Sequence, residues 1–201
     1  MAGRVVDLTS SGISISEPVI VDSNVVIAWQ VAAFQGDQSL SALQAATFIQ
    51  TLRTGDQQAV LTPTAYSEVV HATIKAIFQR SRADYRLALT VRYGRRGGFS
   101  WRDLYKLDPT ILQQQASALE EFRQRLLAAN LALLDQSDLG PVPSGQRYDR
   151  ELLDRIVRYG LDTSDATILM EAMRIGIQSI VSLDRDMQCA VADFDVYTWL
   201  S

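Results

Sequence analysis

In the segment SIVSLDRDM, two aspartates one residue apart, Asp184 and Asp186, follow a mostly apolar run. A surface turn would account for them, and so would a metal site. The choice depends on whether other acids arrive at equivalent places. Asp22 ends a second apolar run, Val19-Ile20-Val21. Glu68 falls in the second turn of a helix expected after the run Ala59-Val60-Leu61, and Asp165 in the first turn of a helix expected before Ile177–Val181. Singly, each acid has a structural explanation. Asp22 suits an Asx turn, Asp165 favours the positive end of a helix by about 0.3–1 kcal/mol, Glu68 suits a solvated helix face, and Asp184 and Asp186 suit a turn. Together they fall at one end of the expected sheet.

Such a cluster is expensive by default. Two carboxylates about 5 Å apart repel by roughly 3 kcal/mol at an effective dielectric near 20. Four in one pocket need a cation, or some of them must take up protons. Hard oxygen donors without a cysteine or histidine cluster suit Mg²⁺ or Mn²⁺ rather than zinc. At carboxylate sites these ions bind phosphate oxygens and activate a water for in-line attack, often as a pair. Nucleophilic catalysis by cysteine or serine has little support. The chain holds one cysteine, Cys189, expected as a small packing residue, and one histidine, His71, expected half-buried on a helix.

The elements that must position these acids alternate. Short strands are expected at Val19–Val21, Ala59–Leu61, Leu131–Leu134, Ile177–Val181 and Val196–Thr198. Between them lie helical patterns, one opened by Thr62 as cap with Pro63 in the first helical position. Another, Ser164–Ile175, is closed by Gly176, with Asp162 expected to cap it. A long amphipathic helix is expected over 109–129, its Leu119, Phe122 and Leu126 serving core or a homodimer interface. Trp199 is expected to pack on the sheet edge. This order predicts an α/β fold, three layers of α/β/α around a mostly parallel sheet of about five short strands. Ligands then sit outside the carboxyl ends of the strands, where the acids fall.

Four segments, VIVDSNVVIAW, TPTAYSEVVHATIK, YGLDTSDATILMEAMRIG and SIVSLDRDM, resemble the acidic motifs of PIN-domain ribonucleases, in that family's order. The family includes the VapC-type toxins of bacterial toxin–antitoxin systems. The resemblance spans about 18–197. It implies a metal-dependent endoribonuclease that hydrolyses RNA phosphodiester bonds. Asp22, Glu68, Asp165 and Asp184 match the acidic quartet. Asp22 and Asp184 would hold the main Mg²⁺ or Mn²⁺, with Asp165 completing its surroundings and Glu68 holding a second ion or orienting the water. Asn24 and Ser182 match supporting polar positions, and Asp186 a variable acid placed at the rim. For the toxin branch, a cognate antitoxin protein is implied.

A single domain over 201 residues is expected, with an insertion at about 80–108 that has no counterpart in the family's minimal pattern. From Arg80 to Lys106, eight basic residues face two acidic ones, with Tyr85, Tyr93, Phe99, Trp101 and Tyr105 interleaved. Since the whole chain carries a net charge of −4, nucleic acid must be met by a local patch. Arg95 and Arg96, on a glycine-flanked loop, are expected to reach the RNA, against the plainer reading of a solvated, partly mobile insertion. No run reaches membrane-spanning length and no signal-peptide pattern is evident, so a cytoplasmic protein is expected. A noncatalytic RNA-binding or protein-interaction module on the same fold is the alternative, although such a module has no reason to keep the repulsion. A haloacid-dehalogenase-type phosphatase needs a second aspartate where Asn24 stands, and a late lysine, whereas Lys75 and Lys106 are the chain's two lysines.

Overall fold

A computed structural model describes residues 3–9, 15, 18–36, 38–55, 57–94 and 97–200, with 31–35 described in backbone only. The expected loop pair Arg95 and Arg96 lies outside the described residues. Along the chain run β1 (Val5–Asp7), β2 (Val19–Val21), α1 (Ser23–Gln35), α2 (Leu40–Thr54), β3 (Ala59–Leu61) and α3 (Pro63–Ser81). Next come α4 (Arg86–Tyr93), α5 (Trp101–Leu107), α6 (Ile111–Gln114), α7 (Ala116–Leu127) and β4 (Leu131–Leu133). The chain continues through α8 (Tyr148–Tyr159), α9 (Thr163–Arg174), β5 (Ser179–Val181), a 3₁₀ segment (Asp186–Ala192) and β6 (Asp195–Thr198).

Among the described residues the sheet has six strands in the order β1-β6-β5-β2-β3-β4, every pair parallel. Every residue of β2, β3 and β5 is buried, as a sheet covered by helices on both faces requires. The fold is α/β, consistent with three layers. From β2 the chain grows one way through β3 and β4, then returns to add β5 and β6 on the other side. The reversal falls between β2 and β5, whose register pairs Ile20 with Ile180 and Val21 with Val181. A crevice opens at the carboxyl ends of two such strands. Asp22 and Ser182 are the next residues.

Local chemistry explains several boundaries. Thr62 Oγ1 accepts from the Ala65 N–H (3.3 Å) with Pro63 in the first turn of α3, and Asp162 caps α9 by accepting from the Asp165 N–H (3.0 Å). Gly176 takes φ +78° just past α9, a conformation that suits glycine.

Other elements differ from expectation. The sixth strand, β1, is added parallel to β6, so β6 is not an edge and Trp199 packs instead against Phe48 of α2, ring centroids 6.2 Å apart. The helix expected over 109–129 is broken at Gln115, whose φ of −104° and ψ of 15° end α6 before α7 begins. The break lets one apolar stripe serve two cores: Ile111 joins Ile77, Phe78 and Leu104, while Phe122 and Leu126 join the main core under the sheet. The insertion is itself folded. Tyr85 Oη donates to Asp108 (3.0 Å), the Arg82 guanidinium donates to the Phe99 carbonyl (2.7 Å), and Phe99 is buried. His71 is exposed rather than half-buried, with its ring edge-on to Trp101, and Cys189 is exposed rather than packed.

A folded insertion makes a stability prediction. Leu104 is fully buried in the second cluster. Leu104→Ala should therefore cost about 2–5 kcal/mol in denaturant unfolding, where a solvated loop would tolerate the change within about 0.5 kcal/mol.

Candidate functional site

The site forms where β2 and β5 end. Asp22 leaves β2 with its N–H donating to the Val181 carbonyl (2.9 Å), and Ser182 leaves β5 with its N–H donating to Tyr197 (3.0 Å). Ladder bonds thus fix both backbones up to Asp22 and Ser182. The Asp22 side chain is 1% exposed. Its Oδ2 accepts from Ser182 Oγ (2.7 Å) and from Asn24 Nδ2 (2.7 Å). Asn24 Nδ2 also donates to Ser182 Oγ (3.0 Å), and Asn24 Oδ1 accepts from the Leu183 N–H (3.0 Å). Ser182 Oγ accepts once more, from the Asp184 N–H (2.9 Å). Asn24 and Ser182 therefore orient Asp22 and the loop that carries Asp184.

The acids act on one another. Burial pushes the Asp22 carboxyl up to about 6, against the lowering effect of its hydrogen bonds from Ser182 and the Ser23 N–H, and the charges of Glu68 and Asp184 push it further. Burial is also the main cause that raises Asp165 to about 7, with the charges of Asp22, Asp162, Asp184 and Glu68 adding to it. So β2, α3, α9 and the segment after β5 bring all four acids of the expected quartet into one electrostatic neighbourhood. Asp184 and Asp186 are exposed, with Asp184 Oδ1 accepting from the Asp186 N–H (2.9 Å), and this places Asp186 at the rim. Asp162 caps α9 as expected, yet its charge also reaches Asp165.

One acid at the margin of the site was not anticipated. Glu171, 2% exposed on α9, accepts from the Thr64 N–H (3.1 Å) and from Thr64 Oγ1 (2.8 Å) at the start of α3. It satisfies a free amide at the positive end of α3 and ties the helix of Glu68 to the helix of Asp165. In sequence it reads as one more helical glutamate, because its partner lies 107 residues away. Only the apolar neighbours Ile168, Leu169, Met170 and Ala172 hint that its face is buried.

No protein-family model matches the chain, and a search of curated proteins gives no match. The chemistry of the donor set fits a hard divalent cation. It is made of carboxylates, and two of them are held near neutral pH by burial and mutual repulsion, which a cation relieves. Among the described residues, no three acidic, histidine or cysteine side chains stand close enough together to hold a metal ion as they are placed.

The raised carboxyls fix the sign of a pH effect. The folded protein holds the Asp22 proton up to about 6 against an ordinary 3.8, so this group's contribution to stability is complete below pH 3.8 and is lost as pH rises through 6. Asp165 extends the same loss toward 7. Asp22→Asn keeps an oxygen for Ser182 and Asn24. At pH 8 without metal it should melt above wild type, by the equivalent of at most about 3 kcal/mol, and the difference should vanish near pH 4. A variant that melts far below wild type at both pH values would show that the carboxylate is needed for the fold.

Proposed function

We propose that the protein is a metal-dependent ribonuclease, an Mg²⁺- or Mn²⁺-dependent hydrolase of RNA phosphodiester bonds on a PIN-like fold. The observation that carries this reading is the placement of Asp22 and Asp184 just past the carboxyl ends of the neighbouring strands β2 and β5, tied together by Ser182, with Glu68 and Asp165 from α3 and α9 adding to the same field. In this reading Asp22 and Asp184 hold the main ion, Asp165 completes its surroundings, and Glu68 holds a second ion or orients the attacking water. The bound metal would supply a Lewis acid for phosphate oxygens and an activated water. The protein's own part is orientation: Ser182 Oγ and Asn24 Nδ2 hold Asp22 Oδ2, and Ser182 Oγ also holds the Asp184 backbone. In this reading buried Asp22 would supply a charge held in place by Ser182 and Asn24, and exposed Asp184 would be open to substrate. RNA as substrate and a cognate antitoxin as partner follow from the resemblance, whereas a homodimer rests on the apolar face of the helix expected over 109–129, whose Phe122 and Leu126 are buried in the main core. Among the described residues no helix is long and apolar enough to cross a membrane.

Two measurements test the reading together. Mg²⁺ or Mn²⁺ should raise the melting temperature with the logarithm of its concentration above the dissociation constant, and Asp165→Asn should flatten that rise. Asp22→Asn and Asp184→Asn should each abolish RNA cleavage while the protein stays folded. Wild-type melting indifferent to both ions would favour the noncatalytic module. A folded Asp184→Asn protein that cleaves normally would remove the quartet from the reaction.

A further inference from the structure

The insertion holds a groove that the acidic site does not use. His71 and Ile74 of α3, Trp101, Arg102, Tyr105 and Lys106 of α5, and Leu112 of α6 line an open depression of about 420 Å³. Its ring groups have a firm base. Trp101 and Tyr105 both rest on Phe78, which is fully buried, with ring centroids 6.4 and 5.6 Å away. The imidazole of His71 meets Trp101 edge-on at 5.3 Å. Tyr105 is 46% exposed, much for a large aromatic. Arg102 and Lys106 are exposed, and the Arg102 guanidinium lies 5.6 Å from the centre of the Trp101 ring. Among the described lining residues none carries a carboxylate.

The groove begins about one helical turn from Glu68. His71 follows Glu68 by three residues on α3, about 4.5 Å along the axis and on the neighbouring face. We propose that this groove seats a base of single-stranded RNA next to the acidic site, with Arg102 and Lys106 taking the adjoining phosphates. The substrate class rests on the ribonuclease reading; the seat itself rests on the groove. Flat rings held rigid from below, beside cations and free of carboxylates, suit stacked bases and their phosphates. An acidic peptide would find the same two cations but would make little use of adjacent flat rings. A chain of net charge −4 with clustered carboxylates also needs local positive surface to hold a polyanion. This assigns RNA contact to the side chains on α5, distinct from the Arg95–Arg96 loop.

The test measures binding of a fluorescein-labelled 12-nucleotide single-stranded RNA in EDTA, so that cleavage cannot intervene. The variants are R102A/K106A and Tyr105→Leu, which keeps an apolar group on Phe78, and their melting confirms folding. Tyr105→Leu should weaken binding about tenfold through lost stacking. R102A/K106A should weaken it similarly and make the salt dependence shallower by about 1.4, the change expected for two phosphate contacts on a single strand. An abasic strand of equal length should bind wild type at least about tenfold more weakly, and an RNA duplex should compete poorly. Equal binding of the abasic strand, unchanged affinity and salt slope in the folded variants, or no binding by wild type would overturn the proposal. So would Tyr105-dependent binding of a glutamate-rich amphipathic peptide without RNA binding, which would give the groove to a protein partner. The two readings fail separately. Cleavage that needs Asp22 but ignores the groove variants removes the groove alone, and groove-dependent binding without cleavage in Mg²⁺ or Mn²⁺ removes the nuclease alone.

Discussion

A carboxylate in a dry crevice is the constraint on which the rest of this structure turns. Asp22 sits almost without solvent between two strand ends, and its burial is the main cause that disfavours its charge. Three features make the placement tolerable. Strands β2 and β5 pair directly, so the backbone beneath the acid is fixed by ladder bonds. Asn24 and Ser182 share their polar atoms so that each serves Asp22 and the loop after β5 at once. The remaining acids stand on other elements and meet Asp22 through their fields. Geometry at one strand-order reversal thereby sets which residues can belong to the site.

Much of that geometry was legible because it is local. A short apolar run ending in aspartate marks the end of β2, Thr62-Pro63 marks the start of α3, and Gly176 marks the end of α9. The acids could be grouped because parallel topology sends all strand ends to one side. What stayed hidden depends on distant partners. Strand β1 is three residues long, and its exposed-to-intermediate pattern carries no burial signal. The break at Gln115 leaves the apolar spacing intact: Leu119, just after it, still packs on the smaller core with Ile111, and Phe122 and Leu126 join the main one. Glu171 acquires its meaning from Thr64, far away in sequence.

The insertion shows how composition can mislead about order. Aromatic residues interleaved with arginine suggest rings held out for RNA bases, yet several of the rings are employed in folding the segment. Phe99 is buried, Tyr85 is fastened to Asp108, and Trp101 leans on Phe78. The cations remain outside because their heads are costly to bury, while the rings supply a small core of their own. The result is a firm surface with charge at its margin.

The bond from Glu171 to Thr64 acts as a pin between two levers. Glu68 stands four residues from Thr64 on α3, about 6 Å along its axis, and Asp165 stands six residues from Glu171 on α9, about 9 Å along its own. With the pin closed, the two acids are borne by helices that cannot slide past each other without breaking a buried, charge-assisted bond. The spacing between Glu68 and Asp165 is thereby coupled to a carboxylate that belongs to neither.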